Sequence, residues 1–409
     1  VELEEVKTFR GALDAMAPNQ RALHWAQLKV YGWLMCQMRE LEQITLKLVY
    51  FDVTDQTEVP VSDTFGAAEL QAFFDVLAAT YLVWARQERV HRQLRDIALR
   101  ALTFPQLPFR VGQRELAGAV YRACVQSRVL LVQAPTGIGK TMGTVFPALR
   151  AMPERATEKL FFLTAKTPGR QVALEALQKV HATKPGFPLR VVELVAKEKA
   201  CEYRDKACHG QSCPLARGFF DRLPAARQAA MASGWLDQAA LRTVALAHGV
   251  CPYYLAQDLV RWSDVVVGDY NYYFDRSALL HALTQDSGWR INVLVDEAHN
   301  LYARACGMYS ASLSHAEALA VRKDMPSGLR GRFADFLNQW QLLQWDVQGR
   351  MEGLKDTGWR ELDEVPEPWQ RSLQRLSVAL GEHFIGHPDD ARSALLAFYF
   401  NTLSFVALA

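Results

Sequence analysis

Ala134-Pro135-Thr136-Gly137-Ile138-Gly139-Lys140-Thr141 follows directly on an apolar run, Val129-Leu130-Leu131-Val132, and precedes a helical pattern. The run reads as a strand over 129–133, and the glycine-rich turn as the opening of a helix. Phosphate binding needs this arrangement. The turn aims main-chain N–H groups inward, Gly137 and Gly139 let the backbone come close, and the helix N-terminus adds positive potential. Lys140 is placed to reach the β- and γ-phosphates of a nucleotide, and Thr141 to offer its hydroxyl to Mg²⁺. Glycine-rich loops also occur by chance. The strand before this one and the helix after it argue against that here.

A phosphate loop needs an acidic partner at the end of a neighbouring strand. Ile291-Asn292-Val293-Leu294-Val295-Asp296-Glu297-Ala298-His299 supplies one. Asp296 is placed to hold Mg²⁺ through water, and Glu297 to polarise the water that attacks the γ-phosphate. Between the two motifs lie further short apolar runs, Leu160-Phe161-Phe162-Leu163 and Val265-Val266-Val267. Runs of this kind are buried on both faces, as in a parallel sheet covered by helices. From 301 onward no strand pattern recurs, and Leu, Phe and Trp fall at helix spacing over 329–348 and 391–409.

The N-terminal part has another character. Residues 1–8 read as a strand, and about Gln20 to Arg39 as a helix with Leu23, Gln27 and Tyr31 at helical spacing. Ile44-Thr45-Leu46-Lys47-Leu48 alternates strictly, as a half-buried strand does. Asp55-Gln56 and Pro60 mark turns, and a long helix is expected from Ala67 to Leu102. Pro105 and Pro108 punctuate the chain like a linker, which puts a domain boundary near 103.

Composition narrows the class. The chain has 409 residues, 50% hydrophobic and 11% aromatic, which excludes a disordered or collagen-like polypeptide. Mean hydropathy is −0.07 and no run of 18 apolar residues occurs, so no membrane span is expected. The acidic start, Val1-Glu2-Leu3-Glu4-Glu5, is unlike a secretory signal, and a cytoplasmic location is expected. A net charge of +2 decides nothing about nucleic acid, since a basic groove can hide in a neutral total.

Seven cysteines occur, and four of them, Cys201, Cys208, Cys213 and Cys251, fall within about fifty residues. Cys36, Cys124 and Cys306 are scattered and read as small core residues. The four are spaced by six, four and 37 intervening residues. Structural zinc favours two tight pairs, whereas an iron–sulphur cluster accepts looser spacing. Spacing alone leaves both open, with His209 and His248 as further zinc candidates.

Asp296-Glu297-Ala298-His299 resembles the DEAH box of superfamily-two helicases, which share the Ala134 departure in the phosphate loop. Phe109-Arg110-Val111-Gly112-Gln113 is similar to the R-x-G-Q segment of that superfamily, where the glutamine reads adenine. Lys197-Glu198-Lys199-Ala200-Cys201, Cys251-Pro252-Tyr253-Tyr254 and Val267-Gly268-Asp269-Tyr270-Asn271-Tyr272 resemble the XPD/DinG family of iron–sulphur helicases. The resemblance covers about 104–409. It implies a RecA-like motor domain interrupted by a [4Fe–4S] domain on the four cysteines and followed by a helical arch. It also implies ATP with Mg²⁺ as nucleotide, and 5′-to-3′ movement on single-stranded or forked DNA. The domains expected are 104–198 and 255–300 for the first motor domain, 199–254 for the cluster domain and 301–409 for the arch.

One departure is large. After Asn300 neither the family's S-G-T-like motif nor its Q-x-x-G-R-x-x-R motif is found, and Gln348-Gly349-Arg350 imitates the latter poorly. The second motor domain, with its arginine finger, is expected to be absent. The chain then reads as part of a longer protein, binding ATP but turning it over little alone.

In residues 1–103, Glu5-Val6-Lys7 resembles the E-x-K half of a PD-(D/E)XK nuclease, whose carboxylates hold Mg²⁺ or Mn²⁺ and whose lysine positions the attacking water. A solvated strand face is the ordinary explanation of Glu-x-Lys. Gln27-Leu28-Lys29-Val30-Tyr31 adds the Q-x-x-x-Y of RecB-like nucleases, with both polar groups on one helix face. The fold's first aspartate would precede Glu5, so this α/β domain is expected to be incomplete. Arg86, Arg89, Arg92, Arg95 and Arg100 read as a solvated helix face. An iron–sulphur DNA helicase with a nuclease-like domain is the first expectation. A DNA-binding module switched by ATP, or a nuclease fed by the motor, is the alternative, and protein partners stay undefined.

Overall fold

Lys159-Leu160-Phe161-Phe162-Leu163-Thr164 forms a strand with no exposed residue, and its alternate side chains enter two different cores. The computed structural model describes residues 1–9, 12–16, 18–349, 361–387 and 394–409. It divides into two units, Val1–Leu94 and Arg95–Ala409.

In the first unit β1 (Glu2–Phe9) runs parallel to β2 (Gln43–Asp52), and β3 (Thr57–Gly66) returns antiparallel, giving the order β1-β2-β3. Ile44, Leu46, Leu48 and Tyr50 alternate inward along β2 and are buried. The helix Pro18–Arg39 covers them with Leu28, Gly32 and Cys36. Gly32 permits this closeness, since a Cβ there would lie 2.8 Å from Leu46 Cδ2. The Leu23-Gln27-Tyr31 stripe is therefore not the core face, and Leu23 is 68% exposed. Pro60 does not turn the chain. It sits within β3 opposite Val49, where an edge strand tolerates a residue without an N–H. A long helix follows, Ala67–Ala101.

The second unit is built on a parallel sheet in the order β6-β5-β7-β4-β8. Its strands are β4 (Lys159–Thr164), β5 (Val191–Glu193), β6 (Trp235–Leu236), β7 (Val265–Asp269) and β8 (Ile291–Val295). Every pairing is parallel. Leu160, Phe162, Val191, Val265 and Val267 face one helical layer, and Phe161, Leu163, Val192 and Val266 face the other. This explains the uninterrupted apolar runs, because each buried side chain gains roughly 1.5–3 kcal/mol on either face. The α/β expectation with a parallel sheet is met.

One expected strand is not formed. Residues 128–135 have no place in the sheet, Val129 is 95% exposed and Leu131 86%. The sheet ends at β8, and among the described residues no strand pairs with its outer edge. An apolar run becomes a buried strand only when a neighbour takes its main-chain groups, and here none does.

The second unit begins at Arg95, inside the long helix and ahead of the proline-marked boundary. Arg95 is 2% exposed, so it does not belong to a solvated arginine face. Its guanidinium pairs with Asp264 at 2.9 Å and Asp96 at 2.8 Å and donates to the carbonyls of Thr157 and Glu158. Removing one partner of such a buried pair costs about 3–5 kcal/mol.

After β8 the described residues hold helices, chiefly His299–Met308, Arg330–Gly349, Glu367–Gly386 and Ala394–Val406. The last three pack on their own core of Phe333, Phe336, Trp369, Leu373, Leu380 and Phe398. Arg350 and residues 391–393 of the sequence reading lie outside the described residues. Among the scattered cysteines Cys36 is buried and Cys124 half-buried against the core, but Cys306 is exposed and is no core residue. No helix among the described residues is long and apolar enough to cross a membrane.

Candidate functional site

The glycine-rich loop opens the helix Lys140–Ala151, with Gly139 as its N-cap at φ 78° and Gly137 at φ 89°. Both angles lie in the left-handed region that glycine adopts without strain. No side chain caps this helix, so its first N–H groups stay available to an anion. Lys140 Nζ donates to the Ala134 carbonyl at 3.4 Å and lies 3.9 Å from Glu297 Oε1. The loop and the acidic strand end, 157 positions apart, thus meet through these two side chains.

Two residues ahead of the loop fix its shape. Arg110 donates to the Gly137 carbonyl. Gln113, only 2% exposed, donates to the Gly139 carbonyl at 3.1 Å and accepts from the Arg110 N–H at 3.1 Å. Both ends of the Gln113 amide are therefore held by the protein itself. A Cβ at Gly139 would stand 2.3 Å from Gln113 Nε2, so a side chain there would displace the Gln113 amide as well as strain the backbone.

Asp296 and Glu297 follow β8 at the carboxyl end of the sheet, where open α/β sheets place their ligands. The Asp296 N–H continues the ladder to the Leu163 carbonyl at 2.9 Å. Glu297 then turns into a left-handed conformation, φ 51°. Asn300 donates to its carbonyl at 3.1 Å, and His299 Nδ1 lies 3.3 Å from its carboxylate. Burial, and then the charge of Glu297, push the Asp296 carboxyl above its ordinary value, against the Glu297 N–H and Lys140.

Tyr270 is fully buried after β7, and sequence reasoning misses its place in the site. Its hydroxyl reaches the carbonyl oxygens of both Asp296 and Glu297, at 3.0 Å for the latter. Burial, with the charges of Asp296 and Glu297, drives its phenol up to about 12, so it stays a hydrogen-bond donor. Nearby, Arg304 bonds Asp269 at 2.8 Å and Asn271 at 2.9 Å. The sequence signal of Tyr270 is Asp269-Tyr270-Asn271, a polar cluster that follows the run Val265-Val266-Val267.

The four clustered cysteines line one small cavity of about 20 Å³, together with Lys197, Lys206, Tyr203, Tyr253 and Tyr254. All four are free thiols, and neither His209 nor His248 lines the cavity. Lys197 is raised above its ordinary value by its hydrogen bond to the Cys208 thiol. Burial raises the Cys251 thiol, and the neighbouring Cys201 and Cys208 add to that. Among the described residues no three His, Cys, Asp or Glu side chains lie close enough to hold a single metal ion. A tetrahedral zinc site would require sulphurs roughly 3.8 Å apart.

In the first unit the expected residues come together. Lys7 Nζ donates to Glu5 Oε1 at 2.7 Å and to Gln27 Oε1 at 2.8 Å, and Gln27 Nε2 donates to the Tyr31 hydroxyl at 2.9 Å. Glu5 and Lys7 share a face of β1, as period two requires. His24, which the sequence reading missed, stands one turn before Gln27 and contacts Tyr50 at 3.2 Å. Burial and the charge of Lys7 lower its pKa, and Glu5 opposes this.

The DEAD_2 family model matches residues 188–318, the stretch that carries the cysteines, β7 and the acidic strand end. Among solved structures, one titled XPD_Helicase is 17% identical, with a TM-score of 0.46 over 74% of this chain and 51% of that one. Another, titled Truncated XPD, is also 17% identical, with a TM-score of 0.43 over 72% of this chain and 81% of that one. The chain spans about half the length of the first.

Proposed function

We propose that this chain is the ATP-binding part of a DNA helicase of the XPD/DinG type. Its cargo is single-stranded or forked DNA, its movement 5′-to-3′, and its place the cytoplasm. The observation that carries the reading is the 3.9 Å approach of Lys140 to Glu297, which joins a phosphate loop to an acidic strand end. DEAD_2 similarity over 188–318 supports it.

Each residue then has a task. The free N–H groups of the helix Lys140–Ala151 and the Lys140 ammonium hold the phosphates. Thr141 and Asp296 would hold Mg²⁺. Glu297 orients the attacking water, and Tyr270 holds the main chain on either side of the two carboxylates. Gln113 shapes the loop through Gly139, and an adenine contact requires its amide to exchange partners on binding.

Cys201, Cys208, Cys213 and Cys251 would hold a [4Fe–4S] cluster, a reading supported by their lining one cavity that neither His209 nor His248 enters. Such a cluster supplies four iron–thiolate bonds that would tie residues 201–213 to the start of the helix Pro252–Leu259.

The Lys7-Glu5-Gln27-Tyr31 network supports a second activity, Mg²⁺- or Mn²⁺-dependent DNA cleavage by the first unit.

Calorimetric titration with a non-hydrolysable ATP analogue and Mg²⁺ tests the first reading. Lys140→Ala should weaken binding by at least roughly tenfold, since the phosphates lose their charged donor. Equal affinity in the variant removes Lys140 from the site, and the helicase reading with it.

A further inference from the structure

The long helix Ala67–Ala101 carries two apolar faces in the first unit. On one of them Leu70 is fully buried in the core that Leu28, Leu46 and Tyr50 share. On the other, Phe73, Val76, Thr80, Val83, Gln87, Val90 and Leu94 recur at alternating steps of three and four. Val76, Val83, Val90 and Leu94 are each more than half exposed. Single apolar residues on a surface are ordinary, whereas a continuous stripe marks a contact surface. The seven-residue period also keeps the stripe in line for a second helix wound left-handed around the first. At roughly 1.5 Å per residue, Phe73 to Val90 covers about 25 Å.

The charges beside the stripe say which helix fits. Asp75 and Arg86, both exposed, lie on the same flank of it. Equal flanks meet when two copies of one helix pair antiparallel about a two-fold axis, an isologous contact. Such a pair sets Val83 against Thr80, Val76 against Gln87 and Val90 against Phe73. The same register brings each Asp75 to about half a helical turn from the point facing the other copy's Arg86, so opposite charges meet twice. In a parallel pair that flank would face Leu77 and Trp84 instead, and Arg86 would find no carboxylate there. Thr80 and Gln87, polar residues within the seam, hold the register at a cost in strength, which makes the pair a reversible one.

We propose that the stripe from Phe73 to Val90 is the docking surface for a second copy of this chain, as an antiparallel two-helix coiled coil.

Sedimentation velocity of the full chain over a hundredfold range of concentration tests this, and should show a reversible equilibrium of monomer and dimer. Val83→Ser with Val90→Ser, at exposed positions, should raise the dissociation constant at least roughly tenfold, since four apolar side chains leave the seam, while the helical circular dichroism of the dilute monomer holds. Asp75→Arg and Arg86→Glu each bring like charges together twice and should weaken the dimer roughly threefold to tenfold, whereas the two combined should restore it. A chain that stays monomeric at every concentration leaves the stripe to another occupant and overturns the proposal. A dimer indifferent to the serine pair places self-association elsewhere and overturns it too. Failure of the combined charge reversal to restore the dimer overturns the antiparallel pairing, and the proposal with it.

Discussion

The hydroxyl of Tyr270 reaches the main-chain carbonyl of Glu297 at 3.0 Å, and Glu297 holds a left-handed backbone at φ 51°. A glutamate adopts that conformation only where its surroundings fix it. Tyr270, at the end of β7, thereby sets the direction of a carboxylate that follows β8, across the intervening strand β4.

Tyr270→Phe keeps the ring in the core and removes the donor. The variant should lose about 1–2 kcal/mol of stability, the cost of a buried hydrogen bond left half made. ATP affinity should hold while hydrolysis falls, because the phosphate loop is untouched and the Glu297 carboxylate loses its aim. Denaturant unfolding, analogue titration and turnover measured together separate the two effects. A fall in affinity as large as that in turnover would assign Tyr270 to the fold alone.

Asp296 carries a pH signature. Its folded pKa is raised by burial and by Glu297, so the folded state holds its proton to higher pH than the unfolded chain. The resulting penalty is absent below the unfolded carboxyl's value, grows as pH rises through the folded one, and is full above it. Asp296→Asn should therefore stabilise the nucleotide-free protein at neutral pH, with the gain vanishing in acid. Thermal unfolding of both forms across pH 3 to about 8 reads this directly. A constant gain at every pH would mean that the carboxyl is not desolvated.

Cys251 is the N-cap of the helix Pro252–Leu259 and lines one cavity with Cys201, Cys208 and Cys213. Protein purified without oxygen should be brown, absorbing broadly at about 400 nm, with iron and sulphide in it. Cys251→Ser should bleach it and raise proteolytic sensitivity over 201–218. Colourless protein with one equivalent of zinc would overturn the cluster assignment.

Lys7 is held between Glu5 and Gln27. In the protein as the cell makes it, Lys7→Ala should remove Mn²⁺-dependent cleavage of single-stranded DNA and leave ATP affinity unchanged, since the nucleotide residues lie elsewhere in the chain. Cleavage that persists undiminished returns residues 1–94 to a structural or DNA-docking role.

The sequence made some of this legible because local pattern and global burial agreed. Leu160 to Leu163 could be read as a doubly buried strand, and Gln27 and Tyr31 as sharing one helix face, whereas the meeting of that face with Glu5 and Lys7 appears only in the structure. Other features depend on partners far along the chain. Nothing near Arg95 announces Asp264, and nothing near Tyr270 announces the carbonyls it meets beyond β8. Pro60 was read by its habit and not by its strand, whose edge position is a property of the sheet. Val129 to Val132 shows the reverse error, in which composition promised burial that no neighbouring strand supplies.

That last run has a colloidal consequence. Among the described residues the outer edge of β8 has no strand partner, and four consecutive apolar side chains elsewhere in the same unit stand partly or wholly in water. Together they are the two ingredients of strand exchange between molecules. In concentrated solution one copy's Val129–Val132 can zip onto another's β8. Such head-to-tail contacts lengthen into chains of copies unless the rotation between neighbours closes a ring.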